Sequence, residues 1–309
     1  MAYISMRAVI AQQLYTGYAH SLRLLCNLTH SSVDMEIRMA EIIKFRDRQS
    51  GREDRYAQIV EEIGYTMLAE VTDRYGDGYP DSKLVPSVAD LPYHNMHHTM
   101  HVRSRTREMV RELGMSPYDG ELAVLTASAH DIVHGGTRGV VERRSAEWLI
   151  AKMRSADLPE GDITACELGV LGTEPIITDG AMTGQKVTEL DFPDERAELI
   201  AKAVACADMA ELYAPHGPRL SRDLYKEQQG VASTEEPSMD GIVDFQCAQV
   251  ELARSYRYPH QVGEKLFAGQ RNRVVAYHEA VLESLVVHPA LPWQALLALD
   301  QEFERRMRA

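Results

Sequence analysis

The chain has 309 residues, 45% of them hydrophobic, and a formal charge of −13. That is enough apolar material for one large core or two small domains. The acidic balance excludes a broad surface for nucleic acid or an anionic membrane, because either partner requires a basic footprint; a small phosphorylated substrate stays compatible, since one metal ion reverses the local field.

The opening stretch, "MAYISMRAVIAQQLYTGYAHSLRLLC", is apolar but interrupted by Arg7, Gln12, Gln13, His20 and Arg23. It fits neither a signal peptide nor a membrane span and reads as a helix with one apolar face. Runs with a 3.6-residue period follow: "SVDMEIRMAEIIKF", "YAQIVEEIGYTMLAEVTDRY", "HTMHVRSRTREMVREL", "GELAVLTASAHDIV", "ERRSAEWLIAKM", "ERAELIAKAVACADMAELY", "MDGIVDFQCAQVELARSY" and "NRVVAYHEAVLESLVV". They predict an all-α fold. Breaks rich in turn formers fall at 47–54, 74–93, 135–139, 172–195 and 226–241, and the second and fourth are long enough to line a site. The expected layout is an N-terminal helical extension over 1–85, a main domain over 86–290 and a C-terminal helix over 291–309. The N-terminal helices are the expected place for contact between copies in a homo-oligomer. Cys26, Cys166, Cys206 and Cys247 are scattered, with no CxxC pair, as expected of reduced thiols in a cytoplasmic protein.

Histidine is unevenly spent: six of the twelve lie between 94 and 134. If residues 94–110 are helical, His94, His98 and His101 fall at i, i+4 and i+7 on one face, with His97 about a hundred degrees round toward solvent. His130 and His134 repeat the i, i+4 spacing on a second helical run, with Asp131 beside His130. In the apolar context "LAVLTASAHDIVHGG" a carboxylate without a partner is costly. Two readings compete there, a core hydrogen-bonded His–Asp pair and metal coordination. Asp208 tips the balance toward the metal, because "AVACADMAEL" places it in mid-helix, where Asp is a poor helix former. It is the natural fourth ligand.

These residues resemble the HD-domain metal phosphohydrolases: His98, then "HD" at 130–131, then Asp208 follow that superfamily's H…HD…D order. "YHNMHHTMHV" at 93–102 is similar to the YHNxxHAxDV motif of class I cyclic nucleotide phosphodiesterases, with Thr99 in place of Ala and His101 in place of Asp. "HDIVHGG" is similar to their HDxxHxG. "VVERRSAEWL" at 140–149 resembles both their VLExHH segment and the EERSA segment of uncharacterised bacterial HD phosphohydrolases. The match spans 91–213 and leaves 1–85 without a counterpart.

The resemblance implies an HD-domain helical bundle and two divalent ions, drawn from Zn, Mg, Mn and Fe. His98, His130, Asp131 and Asp208 would hold the tighter ion and Asp131 would bridge to the second. His134 and Glu142 would stand on the outer side of that second ion, and His94 would be the proton donor. Two such ions lower the pKa of a bridging water and clamp phosphoryl oxygens during in-line attack, while an imidazole with an ordinary pKa of about 6.5 can protonate a leaving alkoxide. The implied substrate is a cyclic nucleotide or a related small nucleotide. "VDFQCAQ" offers Phe245 to stack on a base and Gln246 to hydrogen-bond it, against the competing reading of a core-facing helix. His101 is open between a supporting role at the site and packing. Two other functions use the same ligands: a dinuclear iron oxygenase, and a non-catalytic helical binding protein that keeps the metal for stability.

Overall fold

The structure is a computed structural model that describes residues 53–68, 91–134, 139–178, 181–232, 234–288 and 290–308. The expected N-terminal amphipathic helix, the contact between copies and most of the extension lie outside the described residues. By its own contacts the chain divides into Met1–Glu62 and Ile63–Ala309. Helix α1 is Glu53–Leu68, and its Tyr56 and Ile59 are buried.

The fold is all-α, as expected. The second unit continues with α2 (Met96–Leu113), α3 (Pro117–Ala129), α4 (Val140–Ser155), α5 (Glu160–Leu171), the strands β1 (Pro175–Thr178) and β2 (Ala181–Gln185), α6 (Glu195–Leu212), α7 (Gly217–Gln228), α8 (Ile242–Ser255), α9 (Gln261–Val287) and α10 (Trp293–Arg308). None of the described helices is long and apolar enough to cross a membrane.

Helix α6 is the centre, in contact with α2, α3 and α5. Its sequence explains why: from Ala197 to Ala210 it carries six Ala with Val204 and Cys206, all of them buried, and small side chains let several helices approach together. Helix α3 is built the same way, buried from Leu122 to Ala129. A polar residue on the inward side of either helix therefore faces protein, whereas Glu198 and Lys202 pair on the open side of α6.

Capping fixes where the site helices begin and end. Asn95 is the N-cap of α2; its Oδ1 accepts from the N–H groups of His97 and His98 at 2.8 and 3.3 Å, while its Nδ2 donates to the carbonyls of Leu91 and Pro92. His94 consequently lies before the helix instead of on its face. Gly114 closes α2 in the left-handed region at φ 65°. The run "GELAVLTASAHDIV" also stops earlier than its periodicity suggests. Helix α3 ends at Ala129, and His130 Nδ1–H donates to the carbonyl of Ala127 at 2.8 Å, one of the last-turn acceptors left free where a helix ends. His130 and Asp131 thus stand at a helix end and turn, and the expected i, i+4 helical face with His134 is not formed.

The segment 172–195 folds into the antiparallel hairpin β1–β2, paired from Pro175 with Gln185 to Thr178 with Ala181. Beyond α6, a buried polar network ties four helices together. Arg222 on α7 donates to Asp300 on α10 at 3.2 Å and to Gln246 on α8 at 2.8 Å; Gln246 Nε2 reaches His278 on α9 at 2.7 Å, and the Tyr277 hydroxyl donates to Asp300 at 2.6 Å.

Candidate metal centre

Four side chains from three stretches of chain converge: His98 from α2, His130 and Asp131 from the turn after α3, and Asp208 from α6. His98 Nε2 is 3.3 Å from His130 Nε2, 3.2 Å from Asp131 Oδ2 and 3.5 Å from Asp208 Oδ1. His130 Nε2 is 3.0 Å from Asp131 Oδ2 and 3.7 Å from Asp208 Oδ1. Donor atoms about 2.1 Å from a shared cation, at angles near 90–110°, stand roughly 3.0–3.4 Å apart. The five separations bracket that spacing. Two imidazole nitrogens and two carboxylate oxygens are also a donor set suited to divalent ions from Mn to Zn.

The environment asks for positive charge at this point. Burial works against a charged imidazole at His130, but Asp131 and then Asp208 outweigh it and raise its pKa well above the ordinary value. Asp131 goes the opposite way: burial disfavours its charge, yet His130, His98 and His94 hold its carboxyl well below the usual range. A divalent ion would supply the charge that these acids otherwise draw from imidazolium. His130 also shows the support common in metal-binding histidines, its second nitrogen held by the Ala127 carbonyl. The corresponding Nδ1 of His98 is buried with no hydrogen-bond partner, and the ring lies 4.8 Å from that of Tyr93.

Two supports came from residues the sequence reading did not single out. Glu227, near the end of α7, accepts from His94 Nδ1 at 2.5 Å with one oxygen, and from the backbone N–H groups of Tyr93 and His94 at 3.0 and 2.9 Å with the other. The imidazole is fixed with Nε2 toward the cluster, 3.9 Å from Asp131 Oδ2. Burial would lower the His94 pKa, but the Glu227 carboxylate more than compensates and raises it to about 9. The second support is Gln185 at the end of β2. Its Nε2 donates to Asp208 Oδ2 at 3.1 Å and its Oε1 accepts from the Tyr256 hydroxyl at 2.7 Å. The hairpin therefore serves the cluster by holding one of its carboxylates.

His134 stacks on His94 with centroids 4.3 Å apart, and its Nε2 is 3.8 Å from the outer oxygen of Asp131, Oδ1. Burial, and then the nearby charge of His94, lower its pKa to about 3. His94, Asp131 and His134 form a second group of potential ligands sharing Asp131 with the first. Glu142 stands in the first turn of α4, where one oxygen accepts from the Gly139 N–H at 2.8 Å; burial and the charge of Asp131 raise its pKa. The two expected base-binding residues are otherwise employed. Phe245 packs against Tyr225 in an apolar cluster with Trp293, and the buried Gln246 amide is engaged at both ends by Arg222 and His278. The core-facing reading of that helix holds.

No family model, no curated protein and no solved structure matches the chain.

Proposed function

We propose that this protein is a metal-dependent phosphohydrolase acting on a small phosphoester, with cyclic nucleotides the first substrates to test. The observation that carries the proposal is the convergence of His98, His130, Asp131 and Asp208 at ligand spacing, with an oriented imidazole, His94, alongside. The similarity of "YHNMHHTMHV" and "HDIVHGG" to phosphodiesterase motifs supports the same reading. His98, His130, Asp131 and Asp208 would hold one divalent ion, and Asp131 with His134 would face a second. Such ions supply Lewis acidity toward a phosphoryl oxygen and an acidified water.

The protein's own groups have separable tasks. Asp131 turns Oδ2 toward His98 and His130, with His94 Nε2 farther off at 3.9 Å, and Oδ1 toward His134. Gln185 keeps one oxygen of Asp208 engaged so that the other points inward. His94 holds its proton-bearing Nδ1 on Glu227 and turns Nε2 toward the place where a leaving oxygen would develop charge. A phosphate ester departing as an alkoxide needs a proton at that position.

The test is a hydrolysis panel: cyclic mononucleotides, cyclic dinucleotides, nucleoside monophosphates and diphosphorylated nucleosides, each with Mg²⁺, Mn²⁺, Zn²⁺ and Fe²⁺. Turnover of at least one phosphoester that stops on chelation and returns with metal is expected. Inertness across the panel would remove the proposal, and oxygen uptake by the iron-loaded protein would replace it with an oxygenase.

A further inference from the structure

One helical turn beyond His98 and Asp208, the same two helices bring a second set of ligand-type side chains together. His101 stands three residues after His98 on α2, and Glu211 three residues after Asp208 on α6; His216, just before α7, completes the group. The three ligand atoms lie within 4.8 Å of one another. We propose that His101, Glu211 and His216 form a separate binding site for a zinc-class divalent cation, which fastens α2 to the corner between α6 and α7.

The pattern of contacts on Glu211 favours a cation over a simple hydrogen-bonded cluster. The Glu211 side chain is 1% exposed, so its charge must be answered by protein groups or an ion. Both imidazoles address one oxygen: His101 Nδ1 is 2.6 Å from Oε1, and His216 Nε2 contacts the same atom. The other oxygen, Oε2, is buried without a hydrogen bond, with Arg105 Nε 4.0 Å away. A carboxylate has room for several donors across two oxygens, and crowding one while orphaning the other is a poor hydrogen-bonding solution. Two imidazoles and one carboxylate, by contrast, are a familiar three-ligand set for zinc, with remaining positions open to water. Solvent can reach this set, because the His101 side chain is 40% exposed.

The backbone at the corner is shaped to deliver His216. Gly217 N–H donates to the Ala214 carbonyl at 2.8 Å, folding the chain back on the end of α6. A Cβ at Gly217 would lie 2.0 Å from the Leu212 carbonyl oxygen and 2.7 Å from its carbon. Only glycine permits this return, and it is what sets the His216 ring 4.5 Å from that of His101. The donor set selects borderline cations over Ca²⁺ or Mg²⁺, which favour oxygen ligands.

The experiment is equilibrium dialysis of the full chain against Zn²⁺ after chelation, in a His130→Asn/Asp131→Ala background that removes two ligands of the first cluster, one of them the carboxylate it shares with His94 and His134. One zinc per chain should remain bound. Adding His216→Asn should abolish that zinc, and His101→Asn should weaken its binding at least tenfold, each with an unchanged circular dichroism spectrum. If the background protein does not fold, the comparison is made in the otherwise unaltered chain as a loss of one zinc equivalent on His216→Asn. No bound zinc in a folded background, or binding indifferent to both histidines, would overturn the proposal. Because the readout is stoichiometry, it stands apart from whether the chain hydrolyses phosphoesters.

Discussion

Single residues divide by how much of their role their neighbours in sequence reveal. His130, Asp131 and Asp208 were legible because each is polar inside an apolar run, where an unpartnered side chain would be costly, and His98 because of its spacing in a histidine-dense stretch. Glu227 and Gln185 were not, because a lone Glu in "YKEQQ" and a lone Gln in "TGQKV" look like ordinary solvated residues; only the fold puts one on His94 and the other on Asp208. Phe245 and Gln246 show the reverse error, a suggestive pair whose groups are spent in the core. Two predictions belong here. His94→Asn should retain metal and fold while losing roughly 10²- to 10⁴-fold in turnover on a ribose ester; a p-nitrophenyl ester, whose leaving group departs without a proton, should lose far less. Equal losses on both esters, or loss of metal, would move His94 into the ligand set. Glu227→Gln should lower turnover about 10- to 100-fold, and combining it with His94→Asn should add almost nothing, since Glu227 acts through that ring. Additive losses would give Glu227 a separate role.

Among the elements, strongly periodic helices were readable and two short ones were not. The sequence of α7, "GPRLSRDLYKEQ", hides its buried face because that face carries Ser221, Arg222 and Lys226 beside Leu220 and Tyr225. Apolar periodicity cannot register a helix whose inward residues are polar. Helix α5 failed for another reason: it is only 12 residues long and includes Gly161 and Gly169, so it offers little period to count. The hairpin is shorter still, and two strands stand only when packed against something larger. The α6–α7 corner makes the sharpest demand on local chemistry. Gly217→Ala forces a methyl against the Leu212 carbonyl and should destabilise the fold by about 1–3 kcal/mol, measurable as a lower urea midpoint with an unchanged slope. An unaltered midpoint would show that the corner has slack.

Across the larger unit, a metal-side bundle of α2, α3, α5 and α6 shares one apolar core with the polar-networked helices α7 to α9, through Met109, Cys206, Leu220, Ala253 and Phe267, and α7 also hands Glu227 to His94. That network makes a prediction about pH. Burial, and then the Arg222 charge, lower the His278 pKa from 6.5 to about 3. The unfolded chain therefore takes up this proton first as pH falls. The contribution of neutral His278 is fully present above about pH 6.5 and declines toward pH 3, at up to about 1.4 kcal/mol per pH unit. Urea titrations across that range should show His278→Gln losing stability less steeply than the unaltered protein; parallel curves would mean that His278 charges freely when folded. The all-α class was legible from periodicity alone. The meeting of Asp208 with the "HD" turn was expected from chemistry and needed the fold to give it distances. The most direct test of that meeting is metal content per chain by elemental analysis, after gel filtration without added metal, for the unaltered protein and for Asp131→Ala. Bound divalent metal is expected in the first, and the loss of at least one equivalent in a folded Asp131→Ala protein. Equal metal content in the two, or none in the unaltered chain even after loading, would contradict it.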